Sequence, residues 1–214
     1  MFAMDIDELR QVSGGIPGWL ADEEGELLHR LARECKDGEI VEIGSWKGKS
    51  TVWLAEGSKA GRGLKIYAID PHKGYDGKST LEEFRNNIAK TGAGSMIIPI
   101  VKTSEESAKE FSKPVGLIFI DGSHEYDDVK KDFELWFPKL IDGGVMAFHD
   151  TLGYDGPRKV VNELIYKSRH FRKVRLVNNI TYAVKAENTL PDMLRNRLSL
   201  LAKKIREMMI RKKG

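Results

Sequence analysis

Five short apolar runs alternate with helical patterns along this chain, and that alternation constrains the fold more than any other feature. The runs fall at residues 39–43, 64–70, 96–101, 115–121 and 145–149, and the helical patterns at 49–59, 79–91, 104–112, 126–137 and 158–169. Strand-length runs joined by helix-length crossovers predict βαβ units, hence a parallel sheet covered on both faces. Two further strands, near 173–178 and 180–185, meet at Asn178-Asn179. The expected fold is therefore α/β and doubly wound, with a mostly parallel seven-stranded sheet, helices on both faces and a terminal β-hairpin. Ahead of the sheet, residues 5–12 and 22–35 read as helices separated by Gly14-Gly15-Ile16-Pro17-Gly18, with Leu27, Leu28 and Leu31 on one face of the second. Three parts are expected: a helical cap over 1–37, the α/β domain over 38–187 and a basic amphipathic helix over 188–214.

Length and composition narrow the class. The 214 residues suffice for one core burying very roughly 70% of the unfolded surface. With 31% charged and 41% hydrophobic residues, the balance is that of a globular protein in water. No apolar run approaches the roughly 18–20 residues of a membrane span, and no basic-then-apolar leader opens the chain. Cys35 is the sole cysteine, so an internal disulfide is impossible and a cytoplasmic location is expected.

The net charge of +3 is unevenly placed: residues 190–214 hold eight Lys/Arg against Asp192 and Glu207, so this segment carries +6 and the rest −3. A mildly acidic body argues against a nucleic-acid groove, and no nucleic-acid partner is expected. In the tail, Leu194, Leu198, Leu201, Ile205 and Met208 recur at 4-3-4-3 spacing opposite a basic face. Three readings follow: packing on the domain or on a second subunit comes first, then an anionic membrane surface, then nucleic acid.

The first apolar run ends in Glu42-Ile43-Gly44. Ser45, Gly48 and Ser50 follow before the helical Thr51-Val52-Trp53-Leu54-Ala55. A strand, a glycine turn and a helix N-terminus present unpaired N–H groups and a partial positive charge to a ligand above them. The spacing is not the phosphate loop, because Ile43 stands where its first glycine belongs. Nor is it Gly-x-Gly-x-x-Gly, because position 46 is Trp and position 49 is Lys. The other runs end in Asp70, Asp121 and the pair His149-Asp150. All of these sit at the carboxyl edge, where open α/β sheets bind ligands. Asp70, 26 residues after Gly44, suits a ribose diol and so reports a nucleoside of either the NAD or the S-adenosylmethionine kind.

Glu42-x-Gly44-x-x-x-Gly48-x-Ser50 resembles the first motif of class I S-adenosylmethionine-dependent methyltransferases. Ile118-Phe-Ile-Asp121-Gly-Ser-His124-Glu-Tyr126 and Gly144-Val-Met-Ala-Phe-His149-Asp150-Thr151 resemble the catechol and macrocin O-methyltransferase branches. They are closer still to small bacterial and archaeal methyltransferases with an IDGxHxY … FHDT pattern. The resemblance covers about residues 25–185 and implies a Rossmann-like fold. It also implies that Glu42, Gly44, Ser45, Gly48 and Ser50 hold the methionine end of the cofactor and Asp70 the ribose. Ser104, beside Thr103, would contact the adenine, although it also suits the N-cap of its helix; Asp121 would sit beside the cofactor.

In those branches a divalent cation, usually magnesium, sits on the acids matching Asp121 and Asp150 and binds the acceptor hydroxyl. His149 stands where the catechol enzymes have an acid. That leaves three solutions: magnesium on the two aspartates and waters, a cation that accepts nitrogen on Asp121, His149 and Asp150 together, or no metal.

The chemistry implied is displacement at a sulfonium methyl, to which positioning alone can contribute ~7–11 kcal/mol. His124 occupies the place of the lysine base of catechol-type enzymes and is the first candidate base, with His149 the second. Trp46 would either cover the sulfonium or, preferably, pack on the helix that follows it. Tyr154 and Asp155 would line an acceptor pocket or form a lid. The expected acceptor is a hydroxyl of a small molecule or glycan. The rival readings are a non-catalytic S-adenosylmethionine-binding partner protein and a nicotinamide-dependent oxidoreductase.

Overall fold

The computed structural model describes residues 3–74 and 76–211. These form seven strands: β1 (Glu39–Ile43), β2 (Ile66–Ile69), β3 (Ile97–Ile100), β4 (Val115–Ile120), β5 (Leu140–Phe148), β6 (Phe171–Val177) and β7 (Ile180–Lys185). They make one sheet in the order β3-β2-β1-β4-β5-β7-β6. The first five run parallel, and β7 and β6 add an antiparallel hairpin at one edge. The helices are α1 (Ile6–Gly14), α2 (Asp22–Glu34), α3 (Lys49–Ala60), α4 (Leu81–Ile88), α5 (Ser104–Glu110), α6 (Tyr126–Trp136), α7 (Asp155–Val160) and α8 (Leu190–Arg211). The fold expected from the sequence is the fold observed.

Strand periodicity divides the core into two layers. Ile40 points to the face covered by α1–α4, among Leu28, Trp53 and Phe84. Val41 and Ile43 point to the other face, with Val129 of α6, Val160 of α7 and Leu200 of α8. The same alternation sends Glu42 beneath α3. Helices α2 and α3 pack almost backbone to backbone. A Cβ at Gly25 would meet the Trp53 ring at 2.3 Å, and one at Gly57 would meet the His29 carbonyl oxygen at 2.2 Å. Trp53 Nε1 also donates to Ser13 Oγ (2.8 Å), tying α1 to the same layer. The close contact brings the first turn of α2 to the carboxyl edge of the sheet.

Three local expectations change. β5 starts at Leu140 rather than 145, because Gly143 (φ 82°) lets Asp142-Gly143-Gly144 form an irregularity inside the strand instead of a turn before it. The helix expected over 158–169 starts at Asp155, with Pro157 in its first turn where a missing N–H is tolerated. It ends in a π-helical turn over Val161–Ile165.

The tail differs most. α8 docks through Leu200, which enters the core, and through polar groups on the same side: Asn196 Nδ2 donates to the Phe171 carbonyl (2.7 Å), and buried Lys203 donates to Asn162 Oδ1 (3.1 Å) while pairing with Glu207 of its own helix (2.6 Å). The Leu194–Met208 seam faces away from the domain and is 45–61% exposed. Packing of that seam on the domain is therefore overturned. Spacing shows which residues share a helix face, not which face meets the protein. Lys212 and Lys213 of the basic tail lie outside the described residues. No described helix is long and apolar enough to cross a membrane.

Candidate active site

The end of β1 lies between β2 and β4, where the strand order reverses. Gly44 N donates to the Ile69 carbonyl (2.9 Å), and Asp121 N donates to the Ile43 carbonyl (2.8 Å). Gly44 has φ 88°, and a Cβ there would lie 2.1 Å from the Asp121 carbonyl oxygen, so only glycine fits. Asp70 organises the turn from β2, accepting from Trp46 N (2.8 Å) and His72 N (2.6 Å). The Trp46 ring stacks on Trp19 of the loop between α1 and α2 (centroids 5.2 Å apart), a contact that spacing could not anticipate.

Glu42 is fully buried behind the turn and accepts from Ser50 Oγ and Thr51 Oγ1, each at 2.5 Å. Burial pushes its pKa up to about 7 against the pull of those two hydroxyls. The α3 N-terminus begins at Gly48, which is left-handed. Ser45 Oγ is buried without a hydrogen-bond partner. Thr103, not Ser104, caps α5, because its Oγ1 accepts from Glu106 N (3.2 Å). The Ser104 hydroxyl instead accepts from Trp136 Nε1 (2.8 Å).

A cleft of about 510 Å³ opens above the turn. Of the residues named from the sequence, Gly44, Ser45, Trp46, Ser50, Asp121, His124, His149, Asp150 and Tyr154 form part of its wall. Glu42, Gly48, Asp70 and Ser104 are not part of that wall.

At the cleft floor, Asp121, His149 and Asp150 present ligand atoms that all lie within 4.8 Å of one another. His149 Nδ1 is 3.1 Å from Asp121 Oδ1 and 3.3 Å from Asp150 Oδ2. It is nonetheless buried with no aligned hydrogen bond to either. A nitrogen aimed between two carboxylates in this way fits a shared cation.

The other ring nitrogen, Nε2, lies 3.2 Å from Glu24 Oε2. Glu24 is buried and also accepts from Ala21 N (2.9 Å) and Asn179 N (3.0 Å). Burial alone would lower the His149 pKa, but Asp121, Asp150 and Glu24 outweigh it and push it up to about 12. Burial raises Asp121 despite that imidazole. Asp150 and Glu24 are drawn down because contact with His149 overrides burial. The floor thus demands positive charge, as an imidazolium proton or as a cation.

At the cleft mouth, His124 Nε2 lies 2.8 Å from Asp150 Oδ2, and its ring stacks on Tyr154 with centroids 3.8 Å apart. Asp150 is left-handed (φ 59°) and is held there by Asn179, whose Nδ2 donates to Asp150 Oδ1 (2.7 Å). Asn179 Oδ1 accepts from Leu152 N (2.7 Å), pinning the loop that carries Tyr154. Sequence reasoning missed Glu24, Asn179 and Trp19. Glu24 looks like an ordinary first-turn helix acid, and Asn179 like a turn residue.

Similarities to known proteins agree with this layout. The chain is 31% identical over 132 residues to the uncharacterized protein y4gI of Sinorhizobium fredii, a stretch that covers 58% of the chain and only 14% of that protein. Among solved structures it resembles cofactor-bound Rv0187 from MTB (TM-score 0.66, 17% identity, 86% of this chain and 90% of that one). It also resembles the O-methyltransferase from Bacillus cereus in complex with SAH (TM-score 0.63, 19% identity, 84% and 90%). At such identities these two show the shared fold. Residues 41–151, just over half the chain and spanning both the Gly44 turn and the His149-Asp150 pair, match the family described as methyltransferase domain, and the chain belongs to that family.

Proposed function

We propose that this protein transfers the methyl group of S-adenosylmethionine to a hydroxyl oxygen of a small molecule or glycan, assisted by a divalent cation. The observation that carries this reading is the cluster of Asp121, His149 and Asp150 on the cleft floor, with His124 above it.

The residues present fit both groups. For the cofactor, Gly44 and Ser45 line the cleft, Ser45 offers a buried hydroxyl with no protein partner, and the α3 N-terminus at Lys49 and Ser50 faces the same space. Asp70 retains acceptor capacity for a ribose beside its two backbone contacts. For the cation, Asp121 and Asp150 offer oxygens and His149 Nδ1 offers a buried nitrogen without a hydrogen bond. Two oxygens and one imidazole suit manganese, iron or zinc as well as magnesium. When bound, a divalent cation there lowers the pKa of an acceptor hydroxyl and orients it.

The chain's own groups supply the rest. Glu24 fixes the His149 ring so that Nδ1 faces the two aspartates. Burial and that contact remove His149 from the acceptor, which makes it a ligand and positioning group. His124 is partly exposed at the mouth; its Nε2 donates to Asp150 and its ring stacks on Tyr154, which leaves Nδ1 as the nitrogen that takes the hydroxyl proton. Trp19 and Trp46 wall the cleft beside the turn and help exclude water from the reacting atoms.

Thermal unfolding with S-adenosylhomocysteine, with NAD and with neither, each with a divalent cation or chelator, tests the reading. S-adenosylhomocysteine at about 100 times its dissociation constant adds ~2.7 kcal/mol, which raises the midpoint by roughly 5–10 °C. A further cation-dependent rise, lost in Asp121→Asn, is expected. A shift with NAD alone would overturn the proposal.

A further inference from the structure

We propose that the outward face of α8 seats on an anionic lipid surface, holding this enzyme parallel to a membrane. Leu194, Leu198, Leu201, Ile205 and Met208 form one exposed stripe along this 22-residue helix, which at 1.5 Å per residue is about 33 Å long. At 100° per residue, Arg195 and Arg206 fall along one edge of the stripe, and Arg197 and Lys204 along the other. All four are exposed. An apolar stripe bordered on both sides by long cationic side chains matches an acyl–headgroup boundary. The leucines enter the acyl region while the basic heads reach lipid phosphates.

The neighbouring edge strand extends the positive field. Lys173 and Arg175 of β6 are exposed and share a groove with Arg195 and Leu198.

Charge also selects against a second copy as the occupant. The acids among the described residues of α8 are Asp192 and Glu207. Asp192 is engaged by Thr189 at the helix start, and Glu207 by buried Lys203. Two such stripes face to face would set arginine against arginine with no carboxylate between them. An anionic bilayer supplies the missing countercharge. The helix carries too many charges to span the bilayer, so it lies in the interface plane.

Co-sedimentation of the full chain tests this, using phosphatidylcholine vesicles and phosphatidylcholine vesicles containing phosphatidylglycerol, at low and high salt. Binding is expected to the anionic vesicles, weakened by salt. Arg197→Gln with Lys204→Gln is expected to lower the partition about thirty-fold. Leu198→Glu with Ile205→Glu should abolish binding while keeping the wild-type thermal midpoint, since both side chains are exposed and support no core. Equal binding to both vesicle types overturns the assignment, as does binding to neither. A dimer in solution that the Leu198→Glu, Ile205→Glu variant converts to monomer would also overturn it, assigning the stripe to a second copy.

Discussion

Glu24 is the residue through which the N-terminal helices reach the site, and removing its carboxylate tests that link. Its two oxygens serve three donors: His149 Nε2, Ala21 N and Asn179 N. Glu24→Ala strands all three. A buried donor without an acceptor costs about 1–3 kcal/mol, the imidazole being at the upper end and the half-buried amides at the lower, which gives about 5 kcal/mol in total. In a chain of this size that lowers the thermal midpoint by about 10–20 °C. Glu24→Gln keeps one carbonyl oxygen, so its expected loss is smaller, about 1–2 kcal/mol. The glutamine no longer holds the imidazole by a charged contact, so cation affinity or turnover should fall about 10–100-fold. Calorimetric unfolding of both variants, with cation titration and methyl-transfer kinetics of Glu24→Gln, provides the assay. Wild-type cation affinity and turnover in Glu24→Gln would reduce Glu24 to a helix cap. A Glu24→Ala midpoint within about 1 °C of wild type would refute the hydrogen-bond account itself.

Two further outcomes are expected. The Glu42 pKa is raised from an ordinary 4.5 to about 7, so its contribution to stability is present below about 4.5 and lost as pH rises through about 7. Glu42→Gln cannot ionise, and it should therefore exceed wild type by ~3 kcal/mol near pH 8 while matching it near pH 4 in urea unfolding; parallel pH profiles would refute this. His124→Gln should lower kcat by about 10²–10⁴ without changing affinity for S-adenosylhomocysteine. His124 touches Asp150 and Tyr154 rather than the Gly44 turn. Unchanged turnover at saturating acceptor would remove it from the role of base.

Much of this is legible in the sequence itself. Strand and helix periodicity are local properties, so the order of elements and the parallel sheet follow from residues a few positions apart. The strand ends at Gly44, Asp70, Asp121 and His149-Asp150 converge for the same reason: in a parallel sheet every carboxyl end lies at one edge. That a glycine turn follows the first strand was readable, but the reason no Cβ fits at 44 is the Asp121 carbonyl 77 positions on.

What only the tertiary structure decided involves contacts between distant elements. Glu24 reaches His149 across 125 positions because Gly25 and Gly57 let α2 settle onto α3, a fit of backbone surfaces that no periodicity encodes. Asn179 secures Asp150 only once the hairpin docks beside β5. The outward turn of the α8 stripe was likewise invisible in the sequence. A helical repeat groups side chains by angle, but the face that docks is the one where Leu200 enters the core and Asn196 and Lys203 find partners on β6 and the helix before it.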